Sequence, residues 1–172
     1  MNSARATVLS LTIGCAIGDG KPARPSDQQR AETAKLIDEA GGFEGFKIGR
    51  PLDEVVNIGA ASSKQYMPDG LVLSVYRKSN ISQKIGDVKF TSVALYFGRT
   101  SELQMYRFSA QATAAECDSS KEKLTDMFGM ADPIDGGTSY RWLGHDLFGT
   151  WQHATVRGKS TCSVEFRATK MR

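Results

Sequence analysis

Apolar residues recur along the chain at two different spacings, and each spacing predicts a different kind of element. Between Ser26 and Gly41 they recur every three or four residues, which predicts a helix. Ser26 and Gln29 have the form of a capping box at its start, and Gly41 is a typical helix end. A second stripe at the same spacing predicts another helix over residues 112–128, closed by Gly129.

Elsewhere apolar and polar residues alternate, as they do in strands with one buried face. The alternation is clearest near the end of the chain, where one side carries Cys162, Val164, Phe166 and Ala168. The predicted strands cover residues 71–76, 88–97, 103–110, 140–143, 147–156 and 161–168. The polar stretch 78–87 is predicted to be a mobile connection, and residues 60–69 a loop.

The order helix, strands, helix, strands predicts an α+β fold in which helices cover one face of an antiparallel sheet. We expect a single domain over residues 26–172, and the repeated order indicates two similar halves, 43–110 and 112–170. At 172 residues the chain is long enough to bury a substantial core.

The start of the chain has the features of a secretion signal. Residues 6–15 form a short apolar run behind a single positive charge, about as long as the apolar part of a signal peptide. The run ends in Gly14 and Cys15, which resembles the cleavage point of bacterial lipoprotein signals. This predicts a signal peptide over residues 1–14, a lipid on Cys15, and a linker rich in Gly and Pro over residues 15–25.

A lipid on Cys15 would hold the domain at a membrane, because each buried CH₂ contributes about 0.8 kcal/mol. The resemblance to lipoprotein signals extends to Ala16, which favours the outer membrane, so we expect a periplasmic, lipid-anchored protein. No apolar run reaches the roughly 18–20 residues needed to span a bilayer. Two alternatives remain: a secretion signal without lipid, and a buried N-terminal strand in a cytosolic protein.

The compartment decides how the other two cysteines are interpreted. If Cys15 carries lipid, Cys117 and Cys162 remain, each on the apolar side of its own helix or strand. A helix packed on a sheet can bring them within the Cα separation of roughly 4.4–6.8 Å that a disulfide requires. An oxidising compartment preserves such a bond. We therefore predict a disulfide between Cys117 and Cys162, with two buried free thiols as the alternative.

Charge and motifs argue against several classes of function. The net charge of +3 is small for a surface that follows nucleic-acid phosphates, so we expect no nucleic-acid partner. The chain has no C-x-x-C motif and only two histidines, His145 and His153, so we expect neither a metal nor a cofactor. No nucleophile motif accompanies these histidines, so we expect no catalytic residues and no enzyme activity.

Aromatic residues cluster in the last third of the chain, at Tyr140, Trp142, Phe148 and Trp151. We expect several of them in the core of the sheet, while strand alternation predicts that one aromatic faces away from the helices. Trp142 and Trp151 are the candidate contacts for a partner protein, because tryptophan is enriched at binding hot spots.

Two segments resemble small bacterial envelope proteins. Residues 45–55, GFKIGRPLDEV, are similar to the short helical unit that precedes a curved antiparallel sheet in those proteins. Residues 124–133, LTDMFGMADP, resemble the exit from a helix through Gly and Pro before such a sheet. The families are the small outer-membrane assembly lipoproteins and the secreted β-lactamase-inhibitor proteins, whose members hold another protein. The resemblance implies a helix-plus-sheet architecture and a protein partner, and it assigns no binding residue.

Together these features predict a non-catalytic cell-envelope lipoprotein that binds another envelope or secreted protein, as an inhibitor, an immunity factor or an accessory of envelope assembly. The first alternative is a carrier that holds a small apolar ligand between sheet and helices. The second is an unrecognised enzyme.

Overall fold

The computed structural model describes residues 22–43, 45–55, 61–156 and 158–171. The predicted signal peptide, Cys15 and the linker as far as residue 21 lie outside the described residues, and their assignments stay predictions. Three α-helices lie in the described ranges: α1 (Asp27–Ala40), α2 (Leu52–Val55) and α3 (Ala114–Phe128). The strands are β1 (Gly42–Phe43), β2 (Phe46–Lys47), β3 (Ser63–Tyr66), β4 (Val72–Ile85), β5 (Val88–Phe97), β6 (Leu103–Gln111), β7 (Asp132–Ile134), β8 (Ser139–Leu143), β9 (Leu147–Val156) and β10 (Lys159–Ala168).

Both long helices begin at a capping box. The backbone N–H of Gln29 donates to the Ser26 hydroxyl at 3.3 Å, and the Ser26 N–H donates to the Gln29 side chain at 2.8 Å. Thr113 and Glu116 repeat this arrangement at the start of α3. Helix α1 ends at Gly41, whose φ of 66° is left-handed and costs glycine no strain. The predicted positions of both helices are confirmed.

The large sheet has eight strands in the order β3-β4-β5-β6-β10-β9-β8-β7, and every neighbouring pair is antiparallel. It is made of two meanders, β3–β6 and β7–β10, which join where β6 pairs with β10 and Phe108 stands opposite Val164. Each meander comes after a long helix in the chain, α1 or α3. A separate two-stranded sheet pairs β1 with β2. The predicted α+β fold with an antiparallel sheet is confirmed.

The predicted mobile connection over residues 78–87 is wrong. Strand β4 continues through this polar stretch as far as Ile85, and Gly86 and Asp87 form the turn into β5. Its pairing with β5 shifts between Ser79 and Gln83, which marks a β-bulge. The bulge interrupts the alternation, and residues 77–80 are exposed, so no apolar pattern reports this half of the strand.

The predicted loop over residues 60–69 is also partly wrong. It contains β3, whose four residues are all exposed at the edge of the sheet. A strand at an edge with no buried side chain has no hydrophobic alternation to detect. The turn predicted at its end is present, since the N–H of Gly70 bonds to the carbonyl of Met67 at 3.0 Å.

Helices α1 and α3 pack on one face of the large sheet and enclose the main core. Helix α1 contributes Ile37, and α3 contributes Leu124 and Phe128, all at most 1% exposed. Phe166 of β10 lies beneath them, stacked on Tyr106 at a ring-centroid distance of 5.3 Å and in edge contact with Phe128 at 5.5 Å. The apolar side predicted for β10 therefore faces the helices and helps to fill this core.

Cys117 of α3 and Cys162 of β10 lie at disulfide distance in the core, as predicted. Their Cα atoms are 5.6 Å apart and both residues are fully buried. The link joins α3 to a central strand of the sheet.

Trp142 and Trp151, the predicted partner contacts, are 1% and 2% exposed in the core. The indole N–H of Trp142 donates to the Gly129 carbonyl at 2.8 Å, and that of Trp151 donates to the Ser120 hydroxyl at 2.9 Å. Strand alternation points both rings at the helices, and both N–H groups have acceptors there. The prediction that these tryptophans stand on a binding surface is therefore wrong.

Candidate functional site

The face of the large sheet opposite α1 and α3 is called the open face here. It is formed by every second residue of the central strands. The pairing register aligns one row across it: Arg77, Ala94, Arg107, Glu165, Thr150 and Arg141. The next row runs through Val75, Tyr96, Met105, Arg167, Phe148 and Leu143. Arginines are thus the commonest charged residues in these two rows.

Arg107 and Glu165 form an ion pair at the centre of the open face. The Nε of Arg107 donates to Oε2 of Glu165 at 2.8 Å, and Nη2 donates to the same oxygen. Burial lowers the pKa of Arg107, but the charge and hydrogen bonds of Glu165 outweigh it, so the pKa lies above its usual value. Arg107 is thus a permanent cation whose Nη1 has no part in the Glu165 bonds.

A recess of about 350 Å³ lies beside this pair, over Ala94 of β5. Arg77 of β4 and Arg107 of β6 stand on either side of Ala94, each directly opposite it in the register. A methyl group between two arginines leaves open space above itself. The complete lining is Arg77, Ser79, Ser92, Val93, Ala94, Tyr96, Arg107 and Ser109. The recess therefore combines two guanidinium groups with three serine hydroxyls.

Arg167 and Phe148 occupy the next part of the open face. The guanidinium carbon of Arg167 lies 4.5 Å from the ring centroid of Phe148, a cation–π contact. The Nε of Arg167 is buried and has no hydrogen-bond partner in the described part of the chain. Phe148 is half-buried and faces away from the helices, so it is the aromatic that the strand alternation predicted for that side.

The two histidines lie in different places. His145 is exposed in the turn between β8 and β9, while His153 lies on β9 with its ring centroid 6.2 Å from that of Trp151. His153 lies six residues beyond the start of β9 at Leu147, which is about 20 Å along the strand at the usual rise, whereas the turn that carries His145 precedes that start. The structure does not bring them into one site.

The turn that carries His145 is fixed by Asp38 of α1. The Asp38 carboxylate accepts hydrogen bonds from the backbone N–H groups of His145 at 2.7 Å, Asp146 at 3.1 Å and Leu147 at 3.3 Å. Gly144 allows this approach, because a Cβ there would lie 2.2 Å from an Asp38 oxygen. The contact ties α1 to the β8–β9 turn and is structural.

Within residues 22–43, 45–55, 61–156 and 158–171, no cluster of three or more His, Cys, Asp or Glu side chains is arranged to hold a metal. In the same ranges no helix is both long and apolar enough to cross a membrane.

No protein-family model matches the chain, and comparisons with curated proteins and with solved structures also find no match.

Sequence reasoning missed Arg77 and Arg107. Arg107 lies between Tyr106 and Phe108 in a strongly apolar strand, so its place on the polar side was available from alternation. Arg77 lies at the start of the stretch interpreted as a connection. Their approach over Ala94 follows from strand register, which sequence alone does not supply.

Proposed function

We propose that the chain is a non-catalytic envelope protein that binds another protein through the open face of its sheet. The observation that carries the proposal is the set of four arginines in two neighbouring rows of that face, Arg77, Arg107, Arg141 and Arg167, with Glu165 as the one carboxylate in those rows. Exposed arginines on a rigid sheet suit an acidic partner surface, because a guanidinium group pairs with carboxylates in a fixed geometry.

Arg167 and Phe148 give the open face two further features of a binding surface. The Arg167 Nε is a buried donor without a partner in the described ranges, and such groups are rare because they cost free energy. The half-buried Phe148 beside it offers apolar area. An apolar ring next to an arginine is the composition found at the centre of protein interfaces.

The proposal includes the compartment. We infer that residues 1–14 are removed, that Cys15 is acylated, and that the domain is held at a membrane in the periplasm, with the outer membrane favoured. A Cys117–Cys162 disulfide supports an oxidising compartment, since such bonds persist there and are rare in the cytosol. Intact-mass measurement on protein taken from membranes tests this directly: the expected mass lacks residues 1–14 and includes acyl chains. A full-length, unmodified mass contradicts it.

Binding is tested by placing a photo-crosslinking amino acid at single positions in the native cell. Thr150 lies on the open face, and Lys123 is an exposed matched position on α3. We expect one discrete adduct from position 150, none from 123, and loss of the position-150 adduct when Arg107 and Arg167 are both changed to glutamate. Equal labelling from both positions, or no adduct from either, would contradict the proposal.

A further inference from the structure

The recess over Ala94 has the charge and the polar lining of a binding site, or socket, for a carboxylate group. Arg77 has no ion-pair partner in the described residues. Arg107 directs Nε and Nη2 to Glu165, so its remaining N–H groups are available to a ligand. Strands lie about 4.8 Å apart, so the Cα atoms of Arg77 and Arg107 are about 10 Å apart, with Ala94 midway. Both side chains are long enough to approach an anion held above Ala94.

The net charge around the recess favours a carboxylate ligand over a phosphate. Arg77 and Arg107 together carry two positive charges, and Glu165, whose side chain is 12% exposed, cancels one of them. A single negative charge matches what remains, whereas a phosphomonoester carries nearly two at neutral pH. The hydroxyls of Ser79, Ser92 and Ser109 supply neutral donors, and they suit a small acceptor without adding charge.

We propose that this recess takes the carboxylate of a glutamate or aspartate on the surface of the partner protein. The inference rests on the proposed function and adds to it the chemistry of the central contact. Arg77 would supply the free charge, and Arg107, fixed in place by Glu165, would supply oriented N–H groups. The register places the socket in the middle of the first meander, between β4 and β6.

The socket is tested without the partner, by following backbone amide resonances of the isotope-labelled protein. The probe is the blocked peptide Ac-Gly-Glu-Gly-NH₂, and the control is Ac-Gly-Gln-Gly-NH₂. We expect saturable shifts at Ser92, Ala94 and Ser109 with the glutamate peptide, and binding at least about tenfold weaker with the glutamine peptide. The loss of one charge-assisted hydrogen bond corresponds to a change of this size.

Variants locate the contact. Arg77→Gln should weaken binding of the glutamate peptide at least about tenfold, whereas Arg99→Gln should leave it within twofold. Arg99 is an exposed arginine in the β5–β6 turn and does not line the recess. Equal losses in the two variants would show general attraction to positive charge and would overturn the proposal.

Glu165 tests the choice between carboxylate and phosphate. Phenyl phosphate should bind the native protein more weakly than the glutamate peptide does, and Glu165→Gln should strengthen phenyl phosphate binding more than peptide binding. A native protein that binds phenyl phosphate more tightly than the glutamate peptide would overturn the assignment. Failure of the socket leaves the crosslinking test of the open face intact, because the adduct expected from position 150 of the native chain does not require a carboxylate in the recess.

Discussion

On β10, Phe166 is 1% exposed and packs against Phe128 of α3, while its neighbour Glu165 faces the opposite side and pairs with Arg107. On β6, likewise, Phe108 is buried on the covered face, and its neighbour Arg107 lies on the open face. The covered face of the sheet holds the main aromatic core and the disulfide. The open face holds the arginines and serines beside a smaller buried cluster of Leu73, Val75, Tyr96 and Met105. Both faces are made by the same strands in one register.

This difference indicates that the covered face provides most of the stability and that the open face is available for binding. Burial of apolar area on the covered face is the main favourable term in folding. Exposed polar groups on the open face contribute little to it, so their chemistry is free to serve binding. The comparison fails if the exposed polar residues of the open face prove as important to stability as the buried residues of the covered face.

The largest loss is expected for Trp151→Ala. It removes a ring that is 2% exposed, and it leaves the Ser120 hydroxyl without its indole donor. Substitutions of this kind cost roughly 3–5 kcal/mol. Urea unfolding followed by far-ultraviolet circular dichroism measures the loss. Tyr66→Ala is the control, because that ring is 75% exposed, and a change above about 1 kcal/mol there would contradict the contrast.

Removal of the link between α3 and β10 comes next. Changing Cys117 and Cys162 together to serine should cost about 2–4 kcal/mol. The disulfide closes a loop in the unfolded chain, and opening that loop raises the entropy of the unfolded state. Reduction of the native protein should give a similar loss in the same urea experiment. If the native protein unfolds at the same urea concentration with and without reductant, the prediction is wrong.

A smaller loss is expected for Asp38→Ala. It leaves three backbone N–H groups of the β8–β9 turn without their acceptor, at a cost of about 1–3 kcal/mol. Glu39→Ala is the matched control on the same helix, since its carboxylate has only a 3.9 Å ion pair with Lys35. Equal effects of the two substitutions would show that the turn does not depend on α1.

The lowered pKa of Glu116 predicts that the stability of the protein depends weakly on pH. Hydrogen bonds from the Thr113 backbone N–H and hydroxyl lower its pKa below the usual 4.5. A carboxylate whose pKa is lower in the folded state stabilises above the unfolded pKa, and that stabilisation is lost as pH falls through the folded pKa. The Tm of the native protein should therefore exceed that of Glu116→Gln at pH 7, and the difference should shrink in acid. A difference that grows in acid would reverse the sign.

The smallest change in stability is expected on the open face. Arg77→Gln and Ser92→Ala should each alter the free energy of unfolding by less than about 0.5 kcal/mol, since both residues are exposed. The same urea measurement checks them. A loss above 1 kcal/mol for either would assign the recess a structural role instead of a binding one.

The parts of the fold that local chemistry determines could be predicted from the sequence. The capping residues Ser26 and Thr113 fix the helix starts through bonds within four residues, and the alternation of β10 reports a strand with one buried face. The second half of β4 could not be predicted. Its side chains are polar and exposed, and a bulge interrupts its pairing.

The candidate site was beyond prediction for a different reason. Arg77, Ala94 and Arg107 belong to three strands, and only the pairing register places them side by side. Trp142 and Trp151 show the reverse error, because residue type indicated a binding role where strand alternation places both rings in the core. Alternation is therefore the better guide to the face, and residue type is informative only after the face is known.

Strand β10 follows all the other described strands in the chain and yet lies inside the sheet, between β6 and β9. Arg107 meets Glu165 across 58 residues of sequence, so the two meanders cannot join before the final strand has been synthesised. A polypeptide cut short before residue 159 would have unpaired edges on both β6 and β9, and such edges invite aggregation and proteolysis. Pairing of β6 with β9 through β10 is thus possible only for a polypeptide that already includes β10.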